Sequence, residues 1–148
     1  MRLISNASVR TDMLNVVTAP DDEPDRIAFD LARVIDLSPT AVSYWGADLK
    51  CVYANRACQH WLGVDPEILV GCELASVFEV LGLQAHFELV EAALQGRCRS
   101  MVQSFREGLG KRDGLVQYVP DVRGAAVKGV LFQVGALPLP IRLARTRN

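Results

Sequence analysis

Ala41-Val42-Ser43-Tyr44-Trp45-Gly46-Ala47-Asp48-Leu49-Lys50-Cys51-Val52-Tyr53-Ala54-Asn55 holds two short strand patterns on either side of one short polar turn. Residues 41–45 are rich in aromatic and β-branched side chains, which suit a pleated, half-buried surface. Gly46-Ala47-Asp48 reads as the turn. Residues 49–54 alternate, with Leu49, Cys51 and Tyr53 on one face and Lys50, Val52 and Ala54 on the other. Two such runs across a turn of this length predict an antiparallel hairpin. Asn55 follows as the expected cap of a brief helix over 56–62, because its short side chain can accept from an orphan backbone N–H. Gly63 supplies a left-handed stop for that helix.

Upstream, Asp21-Asp22-Glu23-Pro24-Asp25 is a helix-start signal: acidic residues favour the positive end of a helix, and proline is tolerated in its first turn. Ile27, Leu31, Val34 and Ile35 then recur on one helical face, widened by Ala28 and Ala32. Pro39 restricts the residue before it, so the helix ends near residue 37. Residues 1–22 read as a flexible lead-in, 23–37 as an amphipathic helix, 38–137 as the main domain and 138–148 as a tail.

Downstream of the hairpin, Asp65-Pro66-Glu67 opens a short helix carrying Ile68, Leu69 and Val70. A further turn or two is expected over 73–80, and the longest helix of this half over 83–94, where Leu83, Phe87, Val90 and Leu94 share a face. The period then changes to two. Strands are expected over 100–106 and 114–119, with a turn over 108–113, a proline-containing link over 120–124 and a last strand over 127–136. Two strands early and three late make one five-stranded antiparallel sheet, with the short central helices on one face. The fold class is therefore α+β.

Composition narrows the function. The chain has 148 residues, half of them hydrophobic and 22% charged, with net charge −1; this suits one folded domain rather than a disordered segment. No apolar run approaches the roughly 18 residues of a membrane span, and residues 1–18 lack the apolar stretch of a signal peptide. No membrane association is expected. The basic residues are spread out, and only Arg142, Arg145 and Arg147 cluster, so no nucleic-acid partner is expected. Cys51, Cys58, Cys72 and Cys98 form no CxxC pair and no zinc spacing; they read as reduced thiols in a cytoplasmic protein. No metal site, nucleophile elbow, phosphate loop or dinucleotide fingerprint occurs, and no catalytic residue is assigned. Asp48 and Asp113 read as turn residues, and His60 as a helix-surface residue.

The order of these features resembles the PAS family over residues 35 to 136. Asp36-Leu37-Ser38-Pro39-Thr40-Ala41-Val42-Ser43-Tyr44-Trp45-Gly46 resembles the opening strand of the subgroup whose first strand ends Tyr-Trp-Asp, with Gly46 in place of the acid. Tyr53-Ala54-Asn55-Arg56-Ala57 with Trp61-Leu62-Gly63 resembles the "aNxA…lG" signature, and Glu67-Ile68-Leu69-Val70-Gly71 the "e.l.G" turn. Ala92-Ala93-Leu94-Gln95-Gly96 and the glycines at 110, 114, 124 and 129 fit the long helix and the hairpins that follow. The resemblance implies a bacterial sensory domain in signal transduction, not an enzyme. After the last strand the family often runs into a signalling helix; here Pro138 and Pro140 interrupt such a continuation. No output domain is expected in this chain, so a signal would be expected to leave through a homodimer or a separate signalling protein.

The resemblance also bears on cofactors. Haem-binding relatives carry an iron-ligating histidine in the long helix. His86 falls about one residue from that position, a rotation of about 100° around a helix, so haem is not expected. The reactive-cysteine motif of flavin photosensors does not occur, so flavin is not expected either. A small apolar ligand would be lined by Tyr44, Tyr53 and Phe132 from the strands and by Trp61, Leu69, Phe78, Leu83, His86, Phe87 and Val90 from the helices. The same residues would equally make a filled core. Ile27, Leu31, Val34 and Ile35 are the expected dimer face. Three functions stay open: a ligand-binding sensory domain, a ligand-free dimerisation module, and a small α+β enzyme whose acid–base partner would have to be His86.

Overall fold

The computed structural model describes residues 23–138, with side chains from residue 30 onward. The lead-in over 1–22, the side chain of Ile27 and most of the tail lie outside these residues. Glu23–Leu37 forms helix α1. Leu31 and Val34 on it are 58% and 64% exposed, and Ile35 is half-buried. The residues from Asp36 onward make a compact unit of their own.

That unit begins with the expected hairpin, β1 (Ala41–Gly46) against β2 (Cys51–Ala54). The turn is longer than its polar residues suggested. Leu49 takes a left-handed conformation (φ 62°), its N–H donates to the Gly46 carbonyl at 2.8 Å, and the Gly46 N–H donates to the Lys50 carbonyl at 3.0 Å. Leu49 is thereby drawn out of the strand, Lys50 forms only an isolated bridge with Glu73, and β2 starts at Cys51. An irregularity then shifts the register: Trp45 lies opposite Cys51, but Tyr44 lies opposite Tyr53. The extra residue turns Tyr53 to the other face from Cys51, which corrects the simple alternation read from the sequence.

Four short helices follow: α2 (Ala57–Leu62), α3 (Pro66–Leu69), α4 (Leu74–Leu81) and α5 (Phe87–Leu94), the last entered through a 3-10 turn at Gln84–His86. Asp65 caps α3 as its sequence implies, accepting from the Glu67 N–H at 2.8 Å. Asn55 does not cap α2. Its side chain is fully buried and holds the start of β1, accepting from the Val42 N–H at 2.8 Å and donating to the Thr40 carbonyl at 2.9 Å. The carboxylate of Asp36 instead accepts from the Arg56 N–H at the start of α2, at 3.1 Å.

Three long strands complete the sheet: β3 (Arg99–Glu107), β4 (Gly110–Arg123) and β5 (Ala126–Gly135). All pairs are antiparallel and the order is β2-β1-β5-β4-β3. The expected turn over 108–113 shrinks to Gly108 and Leu109. Asp113 is a strand residue opposite Ser104, whose hydroxyl donates to it at 2.7 Å. Pro120 is likewise in the ladder, opposite Val130. The β3 partner ends at Tyr118, so the proline's missing N–H faces an edge where no bond is lost.

The core lies between the sheet and the helices. Ala41, Ser43 and Trp45 of β1, Val130, Phe132 and Val134 of β5, and Val116 and Tyr118 of β4 point into it. Trp45 is buried because its indole N–H finds the Ser43 hydroxyl at 2.8 Å, which in turn faces the Phe132 carbonyl.

Candidate functional site

The helix-covered face of the sheet has two dissimilar ends. Beneath α4 and α5 it is filled by rings. Tyr118 and Phe132, opposite each other in the ladder, stack with centroids 5.0 Å apart and planes 14° from parallel. Phe78 from α4 stands edge-on to Phe87, Phe132, His86 and Tyr118 at 5.1 to 6.4 Å. Such arrangements place positive ring edges on negative ring faces. Leu69, Leu83 and Val90 are buried in the same hydrophobic core.

One polar relay crosses this apolar end. His86 is 2% exposed, with Nδ1 2.7 Å from the Tyr118 hydroxyl and Nε2 3.0 Å from Gln103 Oε1. Gln103 Oε1 can only accept, and its amide nitrogen donates to the Ser104 carbonyl at 3.2 Å. The pattern therefore fits an imidazole that donates from Nε2 to Gln103 and accepts from Tyr118 at Nδ1. Burial raises the Tyr118 phenol well above its ordinary value, so it stays a donor. Both histidine nitrogens are engaged, and neither faces open space.

The other end opens beside the β3–β4 hairpin. A groove of about 880 Å³ lies among α2, the end of α4 and the hairpin. Trp61 forms its inner wall. The Trp61 N–H donates to the Pro39 carbonyl at 3.1 Å, the Phe105 ring meets it edge-on at 5.7 Å, and the Arg112 guanidinium lies 3.6 Å from its centroid. Such stacking of a cation on a ring contributes about 0.5–1 kcal/mol at an exposed site. Gly114 makes this possible: a β-carbon there would sit 2.7 Å from Trp61 Cζ3.

The residues expected to line a pocket are thus divided. Phe78, His86, Phe87 and Phe132 gather at the filled end, and Leu69 and Val90 are buried in the core. Trp61 and Leu83 line the groove. Tyr44 and Tyr53 face each other on the opposite side of the sheet from Trp45. The Tyr44 hydroxyl donates to Asp121 Oδ2 at 2.5 Å. Sequence reasoning passed over Tyr118, Gln103, Phe105 and Arg112. For Tyr118 a signal existed, since Val116-x-Tyr118 repeats the period of a buried strand face; for Gln103 none did. Burial pushes the Cys51 and Cys58 thiols up to about 11, which keeps them protonated as packing groups. Among the described residues no cluster of His, Cys, Asp and Glu is arranged to hold a metal, and no helix is long and apolar enough to cross a membrane.

Comparison with known proteins bears on the fold. The family model described as "PAS fold" matches residues 35–133. No curated protein sequence matches the chain. Among solved structures, the PAS domain of Bordetella pertussis BvgS is similar at 17% identity and a TM-score of 0.57, over 82% of this chain and 93% of that one. A sensory box sensor histidine kinase structure from Vibrio cholerae is similar at 14% and 0.55, over 78% and 94%. A domain of an HTR-like protein from Haloarcula marismortui is similar at 20% and 0.52, over 68% and 100%.

Proposed function

The chain belongs to the PAS fold family, and on that premise we propose that it is a cytoplasmic sensory domain that binds a small apolar molecule and signals by pairing with a second copy. The family is generally sensory or regulatory rather than catalytic. The observation that carries the ligand reading is the groove of about 880 Å³ beside Trp61, a volume in the range of small-molecule sites. The pairing reading draws on α1, which is amphipathic and carries Leu31 and Val34 in solvent. A reducing compartment suits four unpaired cysteines.

The filled ring cluster favours a second reading, a dimerisation module that needs no ligand. Native mass spectrometry of the freshly purified chain separates the two. Extra mass that disappears on denaturation supports the ligand reading. A bare dimer supports the second. In either case Ile27→Asp with Leu31→Asp is expected to give monomers by sedimentation; a dimer that survives both changes removes α1 from the interface.

A further inference from the structure

The two edges of the sheet are finished differently. At one edge β2 is four residues long, and the chain folds back over its start: the Cys51 N–H donates to the Cys72 carbonyl at 2.9 Å, the Gly71 N–H donates to the Cys51 carbonyl at 2.8 Å, and Lys50 bridges to Glu73. At the other edge β3 runs for nine residues with β4 on one side only. Its register is unbroken down to Glu107 opposite Gly110, across a two-residue tip. A pair that closes so short a tip exchanges both backbone bonds, and the ladder alternates from there. Arg99, Met101, Gln103, Phe105 and Glu107 therefore bond to β4, while Ser100, Val102, Ser104 and Arg106 turn their N–H and C=O groups outward. Among the described residues no backbone group of another segment meets that row. The Ser104 carbonyl accepts from the Gln103 amide nitrogen at 3.2 Å, as an outward carbonyl can, and keeps a second lone pair. Long edges are ordinarily blunted by proline, lysine or a bulge. β3 has none of these, Ser100 to Phe105 carry no charge, and Met101 and Val102 are exposed.

We propose that the β3 edge takes β3 of a second copy, antiparallel about a two-fold axis through Gln103, so that the two sheets run on as one. In that register the strand is complementary to itself. Arg99 of each copy lies opposite Glu107 of the other and Met101 opposite Phe105, all on the helix-covered face. Ser100 faces Arg106 and Val102 faces Ser104 as the hydrogen-bonded pairs, which uses the outward groups of both edges. Sliding the strands by two residues keeps a ladder but leaves Arg99 and Glu107 unmatched. Glu107 already receives Arg112 at 3.3 Å, and its exposed carboxylate has room for a second arginine. This surface is separate from α1 and goes beyond the pairing proposed above. A strand laid along a strand is a contact at the small, transient end of the interface range, so it forms in concentrated solution or between chains already held close. Gln103 at its centre also accepts from His86 Nε2, which ties the contact to the buried relay.

The test follows backbone amide exchange by NMR through a dilution series of the full chain carrying Ile27→Asp and Leu31→Asp, which removes pairing through α1. In concentrated solution the Ser100, Val102, Ser104 and Arg106 amides are expected to slow about fivefold to tenfold, the protection given by a bond made in most of the chains. Dilution should release them, while Met101, Gln103 and Phe105, bonded within the chain, stay unchanged. Val102→Pro removes an outward N–H without touching the β4 ladder and is expected to abolish the protection. Arg99→Glu and Glu107→Arg are each expected to weaken self-pairing about tenfold, since each sets like charges opposite one another twice. A mixture of these two variants is expected to pair again, because it sets opposite charges at both ends. Edge amides that exchange freely at every concentration overturn the proposal and leave the α1 reading standing. Slow exchange that dilution does not relieve means that a segment of the same chain covers the edge, and overturns it too. So does pairing that persists in Val102→Pro. If Val102→Pro does not fold, the charge variants decide: single reversals that pair as well as the parent, or a mixture that does not pair, overturn the register and the proposal with it.

Discussion

One face of one sheet is closed beneath α5 and open beside the β3–β4 hairpin, although both ends are built from the same alternating strands. At the closed end the large rings on the sheet meet a ring from a helix: Tyr118 and Phe132 both meet Phe78, which is fully buried. At the open end the helix layer stops at Trp61 and Leu81, while β3 and β4 continue to the hairpin tip at Gly108 and Leu109. The groove is the overhang. A cavity in this domain is thus set by how far two strands outrun the helices above them, and the filled end gives that overhang a rigid base.

The sharpest way to break the contrast is to open the closed end. Phe78 is fully buried and touches four other rings. Phe78→Ala is expected to cost about 3–5 kcal/mol, the usual range for a core phenylalanine, measured as a shift of the urea midpoint at constant slope. A loss below about 1 kcal/mol would mean that this end is loosely packed and differs little from the groove. The converse change crowds the open end. Gly114→Ala sets a methyl 2.7 Å from Trp61 Cζ3 and 3.2 Å from both Phe105 and Val134. Overpacking of this kind costs about 1–3 kcal/mol, and the Trp61 indole N–H resonance should move as its bond to Pro39 is disturbed. An unmoved Trp61 would show that the wall is not rigid.

A smaller effect is expected at the relay between the two ends. Tyr118→Phe keeps the stack on Phe132 and removes only the donor to His86 Nδ1. A buried acceptor left unpaired costs about 1 kcal/mol or somewhat more, read again from the urea midpoint. The His86 ring nitrogens should shift strongly by NMR. If they do not, the hydroxyl is not the partner, and the relay is reduced to its Gln103 half.

Much of this fold was legible from local signals. The two strand runs around Gly46, the Asp65-Pro66 helix start and the change of period after Gly96 each placed an element, because each depends on neighbours in sequence. What failed depends on contacts across the sheet. Leu49 reads as a strand residue, yet the turn draws it to φ 62° and pushes β2 on by two residues. The irregularity between Tyr44 and Trp45 then reverses the face of Tyr53. Ring size misled at β1, where small Ala41 and Ser43 share the buried face with Trp45, and Tyr44, the other aromatic, faces away. Gln103 on an edge strand reads as solvent-facing; its role comes from His86, 17 residues earlier in the chain.

Tyr44 supplies the last and smallest test, as a control on the far face. Its hydroxyl donates to Asp121, and Arg123 flanks that carboxylate at 3.3 Å. Gly129 makes room for the ring, since a β-carbon there would lie 2.5 Å from the Tyr44 oxygen. The bond from Tyr44, aided by Arg123, holds the Asp121 carboxyl below its ordinary 3.8. The same bond, with some burial, holds the Tyr44 phenol above its ordinary 10.0. A depressed acid contributes stability above its unfolded value and loses it as pH falls through the folded one; a raised phenol contributes below its unfolded value and loses it as pH rises through the folded one. The brace is therefore intact across neutral pH and weakens at both extremes. Asp121→Asn should flatten the acid limb of the stability profile below about pH 4, and only slightly, because a partly exposed pair is screened by solvent. It should leave both the ring cluster and the groove unmoved. A change in the Trp61 or His86 resonances in this variant would mean that β4 transmits strain between its two faces, and the open and closed ends could then no longer be treated as properties of one face alone.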